Sequence, residues 1–242
     1  MAGKRSPDGG GQPLRLAPLQ QHSTPTLIAQ QLREAIATGQ FTPGQQLLET
    51  SLAQALGVSR GPLREAMQRL TQEGLLISHR NRGLFVTDLD EAAVRDAYLA
   101  RGAVERAAVE HLIESGRNAA AEVLVEIAGR MERYRADPSS DEISLLDLAF
   151  HEKLVELSGS PELQRMHGTL LTRVRMCLTN MQATYDSVDE RMGEHRRVAE
   201  AIIAGDAERA TRLLREHMDD GMQRLLATGV DGDVAEAHQG SQ

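Results

Sequence analysis

Several residue types and patterns are scarce in this 242-residue chain, and each shortage narrows what it does. A single cysteine, Cys177, rules out an intrachain disulfide and fits a reducing compartment, so the expected location is the cytoplasm. Tryptophan is absent, and there are only three tyrosines and three phenylalanines, so Leu, Ile, Val, Ala and Met must fill any core. No apolar run reaches the roughly 18 residues a membrane span needs, and the opening MAGKRSPDGGGQP lacks an apolar signal core. There is no phosphate-cradling glycine loop and no nucleophile elbow. Basic charge is short overall, with a formal net of −8, but it is unevenly spread. Residues 1–90 carry a net of +2 and residues 91–242 a net of −10. An acidic chain still binds DNA if its basic groups gather on one domain, and the acidic remainder then stays away from phosphates.

The stretch TPGQQLLETSLAQALGVSRGPLREAMQRLTQEGLLISHRNRGLFV, residues 42–86, carries the most information. Glu49 to Leu56 reads as a helix with Leu52, Ala55 and Leu56 on one face, closed by Gly57 in a left-handed conformation. Ser59 is placed to cap a second helix, and Pro62 sits in its first turn, where a missing N–H costs little. Leu63, Met67 and Leu70 form the apolar stripe of that helix, leaving Arg60, Arg64 and Arg69 outward. Gly74 ends it. Leu75, Leu76 and Ile77 are expected to pair with Leu84, Phe85 and Val86 across the basic turn His79–Gly83. Helix, tight turn, helix and basic hairpin is the layout of a winged helix-turn-helix, which sets a helix in the DNA major groove and a wing against phosphates. The segments PGQQL, LAQALGVSRGPLREAMQRL and EGLL…RGLFV closely resemble the N-terminal domain of the GntR family of bacterial transcription regulators, from about Pro25 to Asp88. Thr50 departs from relatives that carry a DNA-contacting Arg there, so base preference does not carry over. The expected DNA-contacting residues are Ser59, Arg60 and Arg64 from the recognition helix, and Arg80, Arg82 and Gly83 from the wing.

Residues 88–228 show no strand signals, and helix starts and stops recur. Asp90 is expected to cap a helix to Ser115, and Asn118 one to about Ala136. Ser139 with Glu142 forms a candidate capping box for a helix ending near Gly159. Ser160-Pro161 opens the next, to about Tyr185. Ser187 with Glu190 opens another ending near Gly205, and Asp206 caps the last, to about Thr228. Six helices with short connections favour an antiparallel bundle. The expected fold is thus mainly α: a polar, disordered arm at 1–22, a winged helix-turn-helix at 23–88, an all-α bundle at 89–228 and a flexible tail at 229–242.

Polar residues interrupt three of the bundle's apolar stripes. Asp147 and His151 lie one turn apart within the stripe Ile143, Leu146, Phe150, Leu154 and Leu157. His195 belongs with Met192, Val198, Ala199 and Ile202, and His217 with Ala210, Leu213, Leu214, Met218 and Leu225. At about 1.5 Å per residue, an antiparallel hairpin around Gly205 brings His195 and His217 to nearly one level. Inward polar groups must be paired or ligated. Three imidazoles and a carboxylate suit a divalent ion such as Zn²⁺, Ni²⁺ or Mn²⁺; core histidines satisfied by hydrogen bonds are the other reading.

DLAFH and EHRRVAEAIIAGDAERATRLLREHM resemble the FCD effector-binding domain of the FadR-like branch of the same family. Many of its members hold a metal through an Asp-x3-His pair and two later histidines. That resemblance implies Asp147, His151, His195 and His217 as ligands. It also raises Arg101 as a residue that holds a carboxylate effector, although an i,i+4 ion pair with Glu105 explains the spacing equally well. Arg173 is implied in the pocket by its family position. His111 and His167 are expected to have structural or solvent roles. The expected whole is a homodimeric regulator, a repressor released by a small organic acid, acting on double-stranded operator DNA and not on a membrane. A metal-dependent enzyme using the Asp/His₃ site and a metal-sensing regulator are the alternatives.

Overall fold

The computed structural model describes residues 24–88, 90–134, 141–180 and 188–227. The N-terminal part holds α1 (Thr24–Ala37), α2 (Glu49–Leu56) and α3 (Arg60–Gln72), with strands β1 (Gln46–Leu47), β2 (Leu76–His79) and β3 (Gly83–Val86) in an antiparallel sheet of order β1-β3-β2. The remainder is helical: α4 (Glu91–Glu114), α5 (Glu122–Met131), α6 (Asp141–Leu157), α7 (Pro161–Asn180), α8 (Val188–Ile203) and α9 (Ala207–Ala227), with 3₁₀ turns at Asn118–Ala121 and Glu132–Tyr134. The expected mainly α architecture, a winged helix-turn-helix followed by a helical domain, is the one observed. The arm and tail, Ser139, Ser187 and the expected helix ends at Tyr185 and Thr228 lie outside the described residues.

Local chemistry explains most boundaries. Gly57 leaves α2 at φ 64°, its N–H bonding back into the last turn, and Gly74 follows α3 at φ 71°. Leu63, Met67 and Leu70 are fully buried under α1 and the hairpin, each contributing about 1.5–3 kcal/mol of burial. The hairpin register pairs Leu76 with Val86 and His79 with Gly83; Leu75 is buried just before the ladder. In the bundle Asp90 caps α4 by accepting from Ala93 N at 2.7 Å. Ser160 and Asp206 do the same for α7 and α9, accepting from Leu163 N at 3.3 Å and Arg209 N at 3.0 Å.

Three local expectations are corrected. On α2 it is Ala53, not Ala55, that is buried, because α2 rolls so that Leu52, Ala53 and Leu56 face α3. Ser59 does stand at the start of α3 with extended backbone, yet its hydroxyl makes no capping bond. Asn118 does not cap either; it donates through Nδ2 to Ile203 O at 2.7 Å, filling one of the carbonyls left open at the end of α8. The chain there begins as a 3₁₀ turn, and α5 stops at Met131.

Two apolar cores result. One is centred on Leu63, Met67, Leu70 and Val86 of the N-terminal domain; the other runs through the bundle around Phe150, Leu154, Val198 and Leu214. Helix α7 packs on α4 and α6 and also reaches α1.

Candidate metal centre and nucleic-acid interface

Ser59, Arg60 and Arg64 are exposed at the N-terminal end of α3. Arg64 Nε lies 2.7 Å from Glu49 Oε2 at the start of α2. A surface pair of this kind is worth about 0–1 kcal/mol, so an incoming phosphate competes with it easily. At the other end of the sheet the wing exposes Arg80 and Arg82. Asn81 and Gly83 hold the tip at φ 63° and 99°, and Gln46 Nε2 donates to Arg82 O at 2.5 Å, tying the tip to β1. The Arg82 guanidinium rests 5.6 Å from the Phe85 ring, which is itself in edge contact with His79. All six candidate DNA-contacting residues therefore sit at the surface of one domain.

The second site lies in the bundle's interior. Ligand atoms of Asp147, His151, His195 and His217 all lie within 4.8 Å of one another, and all four residues are buried. Asp147 and His151 come from α6, His195 from α8 and His217 from α9, as the stripes require. Asp147 Oδ1 is 3.0 Å from His195 Nε2, and the Phe150 ring meets His195 edge-on at 4.6 Å.

Two carboxylates outside this set orient the imidazoles. Glu105 of α4 is fully buried: its Oε2 takes His151 Nδ1 at 2.7 Å, and its Oε1 takes Arg101 Nε at 2.7 Å and His167 Nε2 at 2.9 Å. Glu194 of α8 takes His217 Nδ1 at 2.8 Å and Arg224 Nη2 at 3.1 Å. Burial alone would raise the Glu105 carboxyl; contact with His151, Arg101 and His167 carries it well below the usual range. Glu194 is likewise lowered against its burial by His217 and Arg224. Both are ionised and only accept, so His151 and His217 must each donate from Nδ1. Their Nε2 lone pairs then face each other at 3.1 Å.

A proton on one Nε2 or a cation between the two satisfies such a contact. Burial and the nearby Arg101 push His151 down to about 3, so His151 is the acceptor side of that contact. One carboxylate and three imidazoles form a donor set of the kind that holds a divalent ion. Buried carboxylate–histidine pairs behind the ligands are the usual support for such an ion.

Arg101 is 2 % exposed and does form the ion pair with Glu105. Its Nη2 is buried with no hydrogen-bond partner among the described residues. Arg173 lies elsewhere: its Nη2 donates to Gly74 O at 3.0 Å, in the N-terminal domain. His111 is exposed on the last turn of α4, whereas His167 is buried at Glu105. Reading the sequence missed Glu194 altogether and saw Glu105 only as a partner for Arg101. The available signal was a glutamate one turn from the pocket arginine and another beside His195.

Residues 26–86 match the family model for bacterial regulatory proteins of the gntR family, and residues 96–220 match that for the FCD domain. The chain belongs to the GntR family. It is 30 % identical to the HTH-type transcriptional regulator YdhC of Bacillus subtilis, over 81 % of this chain and 88 % of that one. It is 28 % identical to the HTH-type transcriptional repressor GlaR of Escherichia coli, over 77 % and 89 % respectively. A crystal structure of a GntR regulator from Rhodococcus sp. RHA1 matches with a TM-score of 0.68 at 27 % identity, covering 84 % of this chain and 97 % of that one. GntR proteins are DNA-binding transcription regulators, some of them named repressors, and not enzymes, so the metal-dependent enzyme reading is set aside. No helix among the described residues is long and apolar enough to cross a membrane.

Proposed function

We propose that this GntR regulator is a cytoplasmic homodimer that binds a pseudo-palindromic operator and leaves it when a small organic acid binds the bundle. Ser59, Arg60 and Arg64 meet bases or nearby phosphates, and Arg80, Arg82 and Gly83 seat the wing. Asp147, His151, His195 and His217 hold a divalent ion, with Zn²⁺, Ni²⁺ and Mn²⁺ as the candidates. The observation that carries this reading is the His151–His217 contact, two lone pairs 3.1 Å apart with both Nδ1 protons already committed.

A bound ion supplies open coordination positions for an anionic oxygen. Arg101 supplies the rest: Nε is used by Glu105, and Nη2 is left for the second oxygen of a carboxylate. Arg173 has its own contact at Gly74, which argues against a part in the pocket. Effector binding then shifts the balance between arrangements that hold DNA and those that do not.

Elemental analysis of purified protein tests the centre: about one ion per chain in the wild type, and most of it lost in His195→Ala and His217→Ala. Full occupancy in the double variant sinks it. Thermal shifts with a panel of organic acids test the effector: an acid stabilises the metal-loaded wild type, while Arg101→Ala keeps its metal and loses the response. A sensor of the metal itself is distinguished by an ion that leaves on dialysis and by no acid of the panel altering the operator affinity of the metal-loaded protein.

A further inference from the structure

Helix α7 touches both functional regions. In its second turn, His167 is 2 % exposed and bonds to Glu105 Oε1 at 2.9 Å, the carboxylate that also orients His151. Six residues on, at about 1.5 Å per residue, Arg173 has advanced about 9 Å along the helix. There it donates to Gly74 O at 3.0 Å. Arg175 reaches Glu34 of α1 at 2.9 Å, and Met176, 1 % exposed, is part of the N-terminal domain's apolar core. Cys177, the next residue, is packed in the bundle core instead.

Gly74 is a sensitive place to touch. It lies between the end of α3 and the start of β2, and its carbonyl also accepts from Thr87 Oγ1 at 2.9 Å. A side-chain carbon at residue 74 would collide with the Arg173 guanidinium. The recognition helix and the wing therefore meet at a carbonyl that α7 holds. One flank of α7 borders a groove of about 740 Å³ lined by Glu34, Leu148, Gly168, Thr172 and Arg175, so the helix is not packed on every side.

We infer that α7 is the lever joining the buried centre to the DNA-binding head, with His167 as the positioning residue at one end and Arg173, Arg175 and Met176 at the other. This rests on the proposed regulation through that centre, and names its route. A change at the centre that moves Glu105 moves His167. Because a helix transmits displacement along its axis, Gly74 and α1 then move with it, changing the relation of α3 to the wing. Coupling of this kind needs an element with two arrangements that both sites bias.

Two measurements on the full-length protein test the lever. The first needs no metal. Hydrogen exchange is compared in wild type, His167→Ala, His167→Gln, and His167→Ala combined with Arg173→Ala and Arg175→Ala. The lever predicts that His167→Ala changes amide exchange at residues 73–79 and in α1 by threefold or more. His167→Gln, which keeps a donor for Glu105, restores wild-type rates, and the junction substitutions abolish the effect of His167→Ala. Changes confined to α4 and α7 overturn the proposal.

The second measurement uses Zn²⁺ as the probe and a duplex selected by the wild-type protein from a random pool. The affinity ratio between Zn²⁺-loaded and chelator-stripped protein is expected at about 5- to 150-fold in wild type. In Arg173→Ala/Arg175→Ala the ratio falls to within about twofold of one at unchanged Zn²⁺ uptake. An undiminished ratio in that variant overturns the lever. A wild type that takes up no Zn²⁺, Ni²⁺ or Mn²⁺ sinks the metal reading instead, and the exchange measurement then decides the lever alone.

Discussion

The head and the bundle of this regulator handle charge in opposite ways. In the head, Arg60, Arg64, Arg80 and Arg82 stand at the surface, either unburied or in exposed pairs such as Arg64–Glu49. In the bundle, Arg101, Glu105, Asp147 and the histidines are almost wholly enclosed, in a chain of contacts where one group serves several others. Exposed charges keep their hydration and are free to exchange partners at little cost. Enclosed ones are stable only as a set, each held by its partners. The charges of the head thus change partners freely, and those of the bundle do not.

The sharpest way to break this contrast is Glu105→Ala. It removes the acceptor of Arg101, His151 and His167 together and leaves a guanidinium buried and unpaired, so unfolding free energy should drop by about 3–5 kcal/mol in denaturant titrations. A drop below 1 kcal/mol would mean that water already screens the network. Glu194→Gln is milder. It keeps the shape behind His217 but weakens its orientation, so metal affinity measured by chelator competition should fall about 10- to 100-fold.

Acidity probes the same difference. With metal stripped, His151 is neutral in the folded protein down to about 3 but takes a proton near 6.5 once unfolded. Unfolded chains therefore bind more protons below 6.5, and stability should decline as pH falls, by about 1.4 kcal/mol per unit. His151→Phe should flatten that slope. At the small end, Arg64→Ala should alter stability by less than about 0.5 kcal/mol while specific DNA binding is lost in gel-shift titrations. DNA binding by the wild type should also weaken steeply with salt as counterions are released. A destabilised Arg64→Ala protein would show that the head, too, depends on its surface charges for folding.

What the sequence revealed, and what it did not, follows the range of the interactions. Gly57, Gly74, Asp90, Ser160 and Asp206 act within one turn of themselves, and so could be placed by spacing alone. The four residues of the buried cluster were legible because each breaks an apolar stripe. Their carboxylate supports were harder to see. Glu105 reaches His151 across 46 positions and Glu194 reaches His217 across 23, and both contacts depend on the rotation of one helix against another. Arg173 was assigned to the pocket from family position; its observed partner is 99 residues away in the other domain, where no periodicity points. Ser59 and Asn118 have cap-forming chemistry, but only the surroundings decide whether a cap forms.

Adjacent residues on α7 face different interiors, Met176 into the core of the head and Cys177 into that of the bundle. The head is in this sense unfinished on its own, since one side chain closing its core is lent by a helix that begins more than seventy residues later. A fragment ending at residue 88 would carry a hole where that thioether belongs, with the usual penalty for an unfilled cavity. In the whole chain, melting either part strips packing from the other, so calorimetry should record one cooperative transition in place of two.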